Sequence, residues 1–495
     1  MARLPNLVYI LADDMGYGDV SCNNPQAQFS TPHLDRLAAE GMRFTDAHAS
    51  SAVCTPSRYS ILTGRYNWRS ALKAGVTWGY SPPLIEDGRL TVGALLQAQG
   101  YATACLGKWH LGWDWALGEG GEEDVDYARP LANGPCTRGF DHFFGIAASL
   151  DMAPYVWVED DRATAVPDRV DPGCDLPTDR PAGDVGFRFW RAGPIAPDFD
   201  HEQVLPTLTR RAEAWIARQA AGDQPFFLYL PLPAPHTPIL PTPDFQGRSG
   251  TNPYGDFCLM VDDVVGRVTA ALDQAGVADD TILIFTADNG CSPSADLPGL
   301  AALGHHPSHV FRGHKADIYE GGHRVPLLLR WPARVPAGAR CDDTVCLVDL
   351  LATLAAVTGA TLPADAGEDS VSNLPLWLGK PAAAPVREAT VHHSVDGSFS
   401  IRQGRWKLEL CPGSGGWSWP RPGEECAGLP PIQLYDLEVD VGERRNVQDE
   451  HPEVVAHLTA LLARYVRDGR STPGAPQANT GPAHWPQLHW LAAEE

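Results

Sequence analysis

The chain has 495 residues, with 38 Lys plus Arg against 61 Asp plus Glu, for a formal net charge of −23. Hydrophobic residues make up 44% and charged residues 20%, a globular composition and not a disordered one. So large an acid surplus argues against nucleic acid or an anionic membrane as the main partner, and an anionic substrate would need a local basic pocket inside a repulsive field.

In chain order, Met1–Pro5 leads at once into the apolar run Leu7–Leu11, which reads as a buried strand followed by Asp13-Asp14. No basic segment followed by an apolar one precedes it, so no signal peptide is read. The location expected is cytoplasmic, or periplasmic or secreted if a leader is missing. Thr31-Pro32 opens a helix, with Thr as cap and Pro in the first turn. Cys54-Thr55-Pro56-Ser57-Arg58 begins another, and Thr91 caps a third that Gly100 ends. Strand Ala102–Leu106 runs into Gly107-Lys108-Trp109-His110.

Two stretches, Gly118–Gly139 and Asp160–Pro197, break the rhythm and read either as surface loops or as insertions shaping a pocket mouth. Helix His201–Ala221, strand Phe226–Leu230 before His236, and helix Phe257–Ala275 follow. Next come strand Thr281–Thr286 before Asp288-Asn289, strand Val325–Arg330 and helix Asp343–Thr358. Beyond the Pro/Ala-rich Lys380–Val386 the pattern shortens to Ala389–His393, Phe399–Arg402, Trp406–Leu410 and Gln433–Asp436. These form an antiparallel meander, with helix Glu453–Arg467 behind it. The fold class is α/β, a large, mostly parallel sheet sandwiched by helices over residues 1–385, with a small C-terminal antiparallel sheet plus helix over 386–495. No apolar run reaches the ~18 residues of a membrane span.

In an open parallel sheet, ligands bind beyond the carboxyl ends of the strands. Asp13, Asp14, Asp288 and Asn289 lie at two such ends and offer only oxygen, which favours Ca²⁺ or Mg²⁺ over zinc. The competing reading is a turn at Asp288-Asn289-Gly290. The eleven cysteines are scattered, with no CxxC, which argues against a zinc ribbon and suits a reducing compartment. Cys54, at a helix N-terminus with Arg58 one turn on, reads as a low-pKa nucleophile or a modification site, against the bland reading of a small buried hydrophobe.

Cys-x-Pro-x-Arg followed by Leu62-Thr63-Gly64-Arg65 resembles the signature of type I sulfatases, the formylglycine-dependent branch of the alkaline phosphatase superfamily. Asn6–Gly18, Gly107–Gly112, Thr286–Gly290 and Arg312–Lys315 with Tyr319–Pro326 resemble the family's other elements in the same order. The resemblance implies a large mixed sheet and oxidation of Cys54 to Cα-formylglycine by a maturation enzyme. Asp13, Asp14, Asp288 and Asn289 would hold a divalent cation, usually Ca²⁺, less often Mg²⁺, joined by residue 54.

Arg58 and Lys108 would steady the formylglycine, with Lys108 also reaching the sulfate. His110 would act on its hydroxyl, and His236 and Lys315 would bind sulfate and help the ester oxygen leave. In that chemistry one hydroxyl of the hydrated aldehyde attacks sulfur, leaving a sulfated hemiacetal, and the second expels sulfate. A phosphonate monoester or phosphodiester hydrolase of the same superfamily is the nearer rival, but those tend to lack the Lys-x-His element. A non-catalytic sulfo-glycan-binding protein is the other.

Gly145–Tyr155 resembles a segment of bacterial carbohydrate sulfatases, which points to a sulfated mono- or oligosaccharide. Asp151 and His305 are the candidates for sugar hydroxyl contacts. Trp113, Trp115, Tyr155 and Trp157 could stack on sugar faces or simply pack loops.

Overall fold

The computed structural model describes residues 4–120, 124–174, 187–380 and 384–491. Its centre is strand Asn6–Ala12, buried along its whole length. Continuous apolarity is what a strand covered on both faces requires. It pairs in parallel with Phe226–Pro231 on one side (Leu7 opposite Phe227) and Thr281–Ala287 on the other (Leu7 opposite Ile282). Among the described residues the sheet has ten strands, in the order Ala339–Cys341, Met42–Phe44, Leu327–Arg330, Thr281–Ala287, Asn6–Ala12, Phe226–Pro231, Ala102–Lys108, His142–Ile146, Val158–Glu159, Arg162–Ala163. The neighbours of the first strand are far later in the chain on both sides, the arrangement in which α/β sheets bind ligands beyond a strand's carboxyl end.

The strands differ from the sequence reading in ways that have causes. Leu327–Arg330 is shorter than expected and antiparallel to Thr281–Ala287. The run thought to be one helix from Asp343 contains a short strand, Val345–Cys346, a tight turn and only then helix Leu350–Thr358. Asp349 interrupts it, because its carboxylate accepts from Cys346 N (3.2 Å) and Val371 N (3.0 Å) and is paired with Arg387. Helix Pro32–Glu40 does start at Thr31-Pro32, but no Thr31 side-chain bond caps it. Asp262 on the long helix Pro253–Gln274 accepts from His33 N and Leu34 N at 3.2 and 2.8 Å instead. Thr91 caps as expected, taking Ala94 N at 3.0 Å.

The Asp160–Pro197 stretch carries short strands at Arg162–Ala163, Arg169–Asp171 and Gly193–Ile195, while residues 175–186 of it, and 121–123 of the earlier stretch, lie outside the described residues. Trp113, Trp115, Tyr155 and Trp157 are all buried. Trp113 packs edge-on against Trp115 at 5.2 Å, and Trp157 stacks on Phe144 at 4.7 Å. The packing reading therefore holds for them and the sugar-stacking one does not.

At the C-terminal end the meander is observed as a four-stranded antiparallel sheet, Thr390–His393, Phe399–Gln403, Trp406–Glu409 and Gln433–Asp436. Helix Pro452–Asp468 lays Leu458, Leu462 and Tyr465 on Val391, Ile401 and Leu408, and Tyr66 and Trp68, just beyond the Cys54 helix, join the same apolar cluster. Among the described residues no helix is long and apolar enough to cross a membrane.

Candidate active site

Helix Cys54–Thr63 carries the centre. Val53 before it is extended (φ −141°), Cys54 is its first residue, and Gly64 ends it in the left-handed region (φ 65°), returning its N–H to Ser60 O at 2.9 Å. All ten of its residues are buried, polar ones included, which is sustainable only if each charge finds a partner. Arg58 donates from Nε and Nη2 to Asp288 Oδ2 at 2.9 and 2.8 Å, and from Nη1 to Lys108 O at 2.9 Å. This ties the helix to two strand ends.

The expected residues converge around it. Lys108 Nζ donates to Asp13 Oδ2 at 2.6 Å and Ser149 Oγ at 2.7 Å. Lys315 Nζ lies 2.7 Å from both oxygens of Asp14. Asn289 Nδ2 donates to Asp14 Oδ1 at 2.7 Å, and Asp14 N to Asp288 Oδ1 at 3.3 Å. Three carboxylates thus face Arg58, Lys108 and Lys315 in a water-poor site, so the group is held together by charge as much as by shape.

Burial alone would raise Asp13, but Lys108, His236 and Arg58 hold its carboxyl well below the usual range. Asp288 is pushed up to about 6 by burial and by Asp13 beside it. Burial also raises the Cys54 thiol, which Lys108 and Lys315 only partly offset. That corrects the low-pKa nucleophile reading: an unmodified thiol here is protonated, and the modification-site reading survives.

The histidines are polarised by their partners. His110, itself at φ 56°, donates Nε2–H to Thr77 O at 2.7 Å, which leaves Nδ1 buried with no hydrogen-bond partner. Burial, then Lys108 and Arg58, push its pKa well below the ordinary value, so it stands neutral with an open lone pair. His236 donates Nδ1–H to Thr237 O at 2.5 Å and places Nε2 3.5 Å from Asp14 Oδ2. Asp14, at φ 65°, is a second non-glycine residue in the left-handed region, and such strain persists where surrounding contacts over-determine it.

The donor set suits a hard cation. Asp13 Oδ1 and Asn289 Oδ1 are buried without hydrogen-bond partners, and Asp13, Asp14 and His236 have ligand atoms within 4.8 Å of one another. Unspent oxygens beside three aspartates are what Ca²⁺ or Mg²⁺ asks for.

Asp151 and His305 part company. Asp151 lies near the centre, with Oδ1 4.0 Å from His236 Nδ1. His305 does not join it: fully buried, it pairs with Asp19 Oδ1 at 2.8 Å, accepts from Gln28 N at 3.3 Å and packs on Phe29, so it cannot present a face to a sugar here. Sequence reasoning missed Ser149 and Thr77. Ser149 follows strand His142–Ile146, whose short Phe143-Phe144 run was not read as a strand; the strand-end rule would have found it. Thr77 lies in a segment with no periodicity, and nothing local marks it.

The sulfatase family model matches residues 5–360. The chain belongs to the sulfatase family. It is 34% identical to an N-acetylgalactosamine-6-O-sulfatase of Bacteroides thetaiotaomicron, covering 93% of each chain. It is also 34% identical to human arylsulfatase A, covering 97% of this chain and 92% of that one. A solved Bacteroides thetaiotaomicron structure, described with a core genetic locus for metabolism of multiple glycosaminoglycans, superposes with a TM-score of 0.81. It is 34% identical and covers 93% of this chain and 99% of that one. The sulfatase fold seen here is accordingly the alkaline-phosphatase-like one, with its polar residues delivered by strand ends to one edge of the sheet.

Proposed function

We propose that this sulfatase hydrolyses a sulfate monoester on a sugar, with Cys54 matured to formylglycine by a dedicated enzyme. The observation that carries the reading is the meeting of Lys108, Lys315 and Arg58 with Asp13, Asp14 and Asp288 beside the Cys54 helix, with His110 Nδ1 left unpartnered. The name of the Bacteroides relative, a sugar 6-O-sulfatase, supports the substrate class.

Hydrated formylglycine supplies two hydroxyls on one carbon, one to attack sulfur and one whose deprotonation lets sulfate go. Asp13, Asp14, Asp288 and Asn289 would hold Ca²⁺, or Mg²⁺ less readily, to neutralise sulfate oxygens. This chain's own residues do the rest. Lys108 and Lys315 sit where a sulfate would gain charge-assisted bonds in exchange for their present carboxylate partners. His110 Nδ1 takes a proton at residue 54, its ring fixed by Thr77 O. His236 presents Nε2 toward the same centre and can hand a proton to the departing sugar oxygen.

A thiol in place of the hydrate lacks the second hydroxyl and cannot release sulfate. The test joins the intact mass of the peptide containing residue 54 to sulfate release by the same preparation, with 6-sulfated N-acetylgalactosamine, 6-sulfated galactose and 4-nitrophenyl sulfate as substrates. Turnover should track the converted fraction, fall on chelation and return with Ca²⁺. Full activity from purely thiol protein would sink the mechanism.

A further inference from the structure

Beyond the catalytic cluster, one group of side chains at its rim is unexplained by sulfate chemistry. Trp78 follows Thr77, the residue that holds His110, and is 49% exposed. The turn that presents it is pinned: Trp78 N donates to Ser81 Oγ at 2.8 Å, and Gly79 O accepts from Trp115 Nε1 at 2.9 Å. Gly79 packs so closely that an added Cβ would meet Ala153 O at 2.1 Å. A large aromatic held open on so fixed a turn is pre-organised to cover something apolar.

What lies beside it is polar. The Arg191 guanidinium stands 5.0 Å from the Trp78 ring centre, and as far from that of Phe189, and is 42% exposed. It is ion-paired with Asp151 Oδ2, and its backbone N donates to Asp151 O at 3.1 Å. The Tyr155 hydroxyl bridges Arg191 O at 2.6 Å and Asp151 O at 3.2 Å. That leaves Asp151 Oδ1 buried with no hydrogen-bond partner, 4.0 Å from His236 Nδ1. A buried carboxylate oxygen left unsatisfied beside His236 awaits a donor.

We infer that Trp78, Arg191 and Asp151 form the subsite for the alcohol half of the substrate, and that its occupant is a pyranose ring. The apolar face of the ring lies on Trp78, a ring hydroxyl donates to Asp151 Oδ1, and Arg191, ion-paired with Asp151 Oδ2, donates to an acceptor on the sugar. Trp78 and Arg191 are specificity-determining residues, and Tyr155 is a positioning residue that locks the pair. A flat aryl ester has no hydroxyl for Asp151 and gains less from the trio. The inference rests on the sugar sulfatase reading and deepens it.

The experiment compares kcat/KM of matured wild type, Trp78→Ala, Trp78→Phe and Arg191→Gln on a 6-sulfated hexosamine and on 4-nitrophenyl sulfate. Trp78→Ala and Arg191→Gln should each lose at least about tenfold more on the sugar than on the aryl ester, carried by KM, and Trp78→Phe should recover most of the Trp78→Ala loss. Equal losses on both substrates, or no loss on the sugar, overturn the subsite. A wild type that cleaves the aryl ester but no sulfated sugar overturns the sugar reading itself, which separates the two failures.

Discussion

On the proposed mechanism chemistry turns on Cys54 and His110, and the fold treats them differently. Cys54 is 2% exposed and makes no side-chain hydrogen bond among the described residues, so Cys54→Ala should remove turnover while leaving the melting temperature within about 2 °C of wild type. Thermal denaturation beside the sulfate-release assay checks it. His110 is tied only through Nε2, with Nδ1 free to act. His110→Ala should therefore lower kcat by about 10²–10⁴ with little change in KM, the mark of a lost proton acceptor. Lys108 carries both burdens. Lys108→Met takes the hydrogen-bonding ammonium from buried Asp13 Oδ2 and leaves Arg58 Nη2 3.6 Å away, and beyond losing activity should cost about 1–3 kcal/mol of stability in urea denaturation.

At the scale of elements, the Cys54 helix is fixed just past its far end by a buried ion pair. Arg69, just past it, pairs through Nε and Nη2 with Asp369 at 2.7 and 2.9 Å, and Asp369 also accepts from Tyr66 N at 2.8 Å. The C-terminal sheet is stapled on by three buried histidines. His48 lies next to Asp46 at 2.9 Å, and His48 and His323 approach within 3.1 Å. His323 stacks on His392 of strand Thr390–His393 at 3.8 Å, nearly parallel. Parallel rings do not converge on one metal, so the stack is read as packing.

Burial holds all three histidines below their ordinary pKa of 6.5. Below that pH the unfolded chain binds protons that the folded one refuses, so stability is present above about 6.5 and drains as pH falls, by up to about 1.4 kcal/mol per pH unit for each histidine. Melting temperature should hold between pH 7 and 8 and drop from about 6.5 to 5, and His392→Gln should lessen that drop. A level profile over that interval would refute the stack's role.

Over the whole molecule, a net charge of −23 would repel a sulfated substrate, which the proposed site would receive at Arg58, Lys108, Lys315 and Arg191. The attraction is short-ranged and shielded by protein, whereas the repulsion acts over the approach, where salt screens it within about 10 Å at 0.1 M. Raising NaCl from about 10 to 150 mM should thus increase kcat/KM for a sulfated substrate a few-fold while leaving kcat unchanged. A monotonic fall would mean that the basic pocket governs encounter from a distance.

Much of the fold was legible because its signals are local. Leu7–Leu11, Ala102–Leu106, Phe226–Leu230 and Thr281–Thr286 are apolar runs that can be buried only as inner strands, and the polar residues after each land at the same sheet edge whatever the loops do. The Cys54 helix was equally plain from Pro56 and Gly64. What the tertiary structure alone decided is partnership. His305 looked free and is spent on Asp19, the tryptophans looked available and are packed, and the Cys54 thiol is raised by burial that no neighbouring residue in sequence reveals. Thr77, Ser149 and Arg191 matter only because separate loops bring them to His110, Lys108 and Asp151. Periodicity reports which side of an element faces inward; which side chain meets which depends on contacts between residues far apart in sequence, and those form only when the chain is folded.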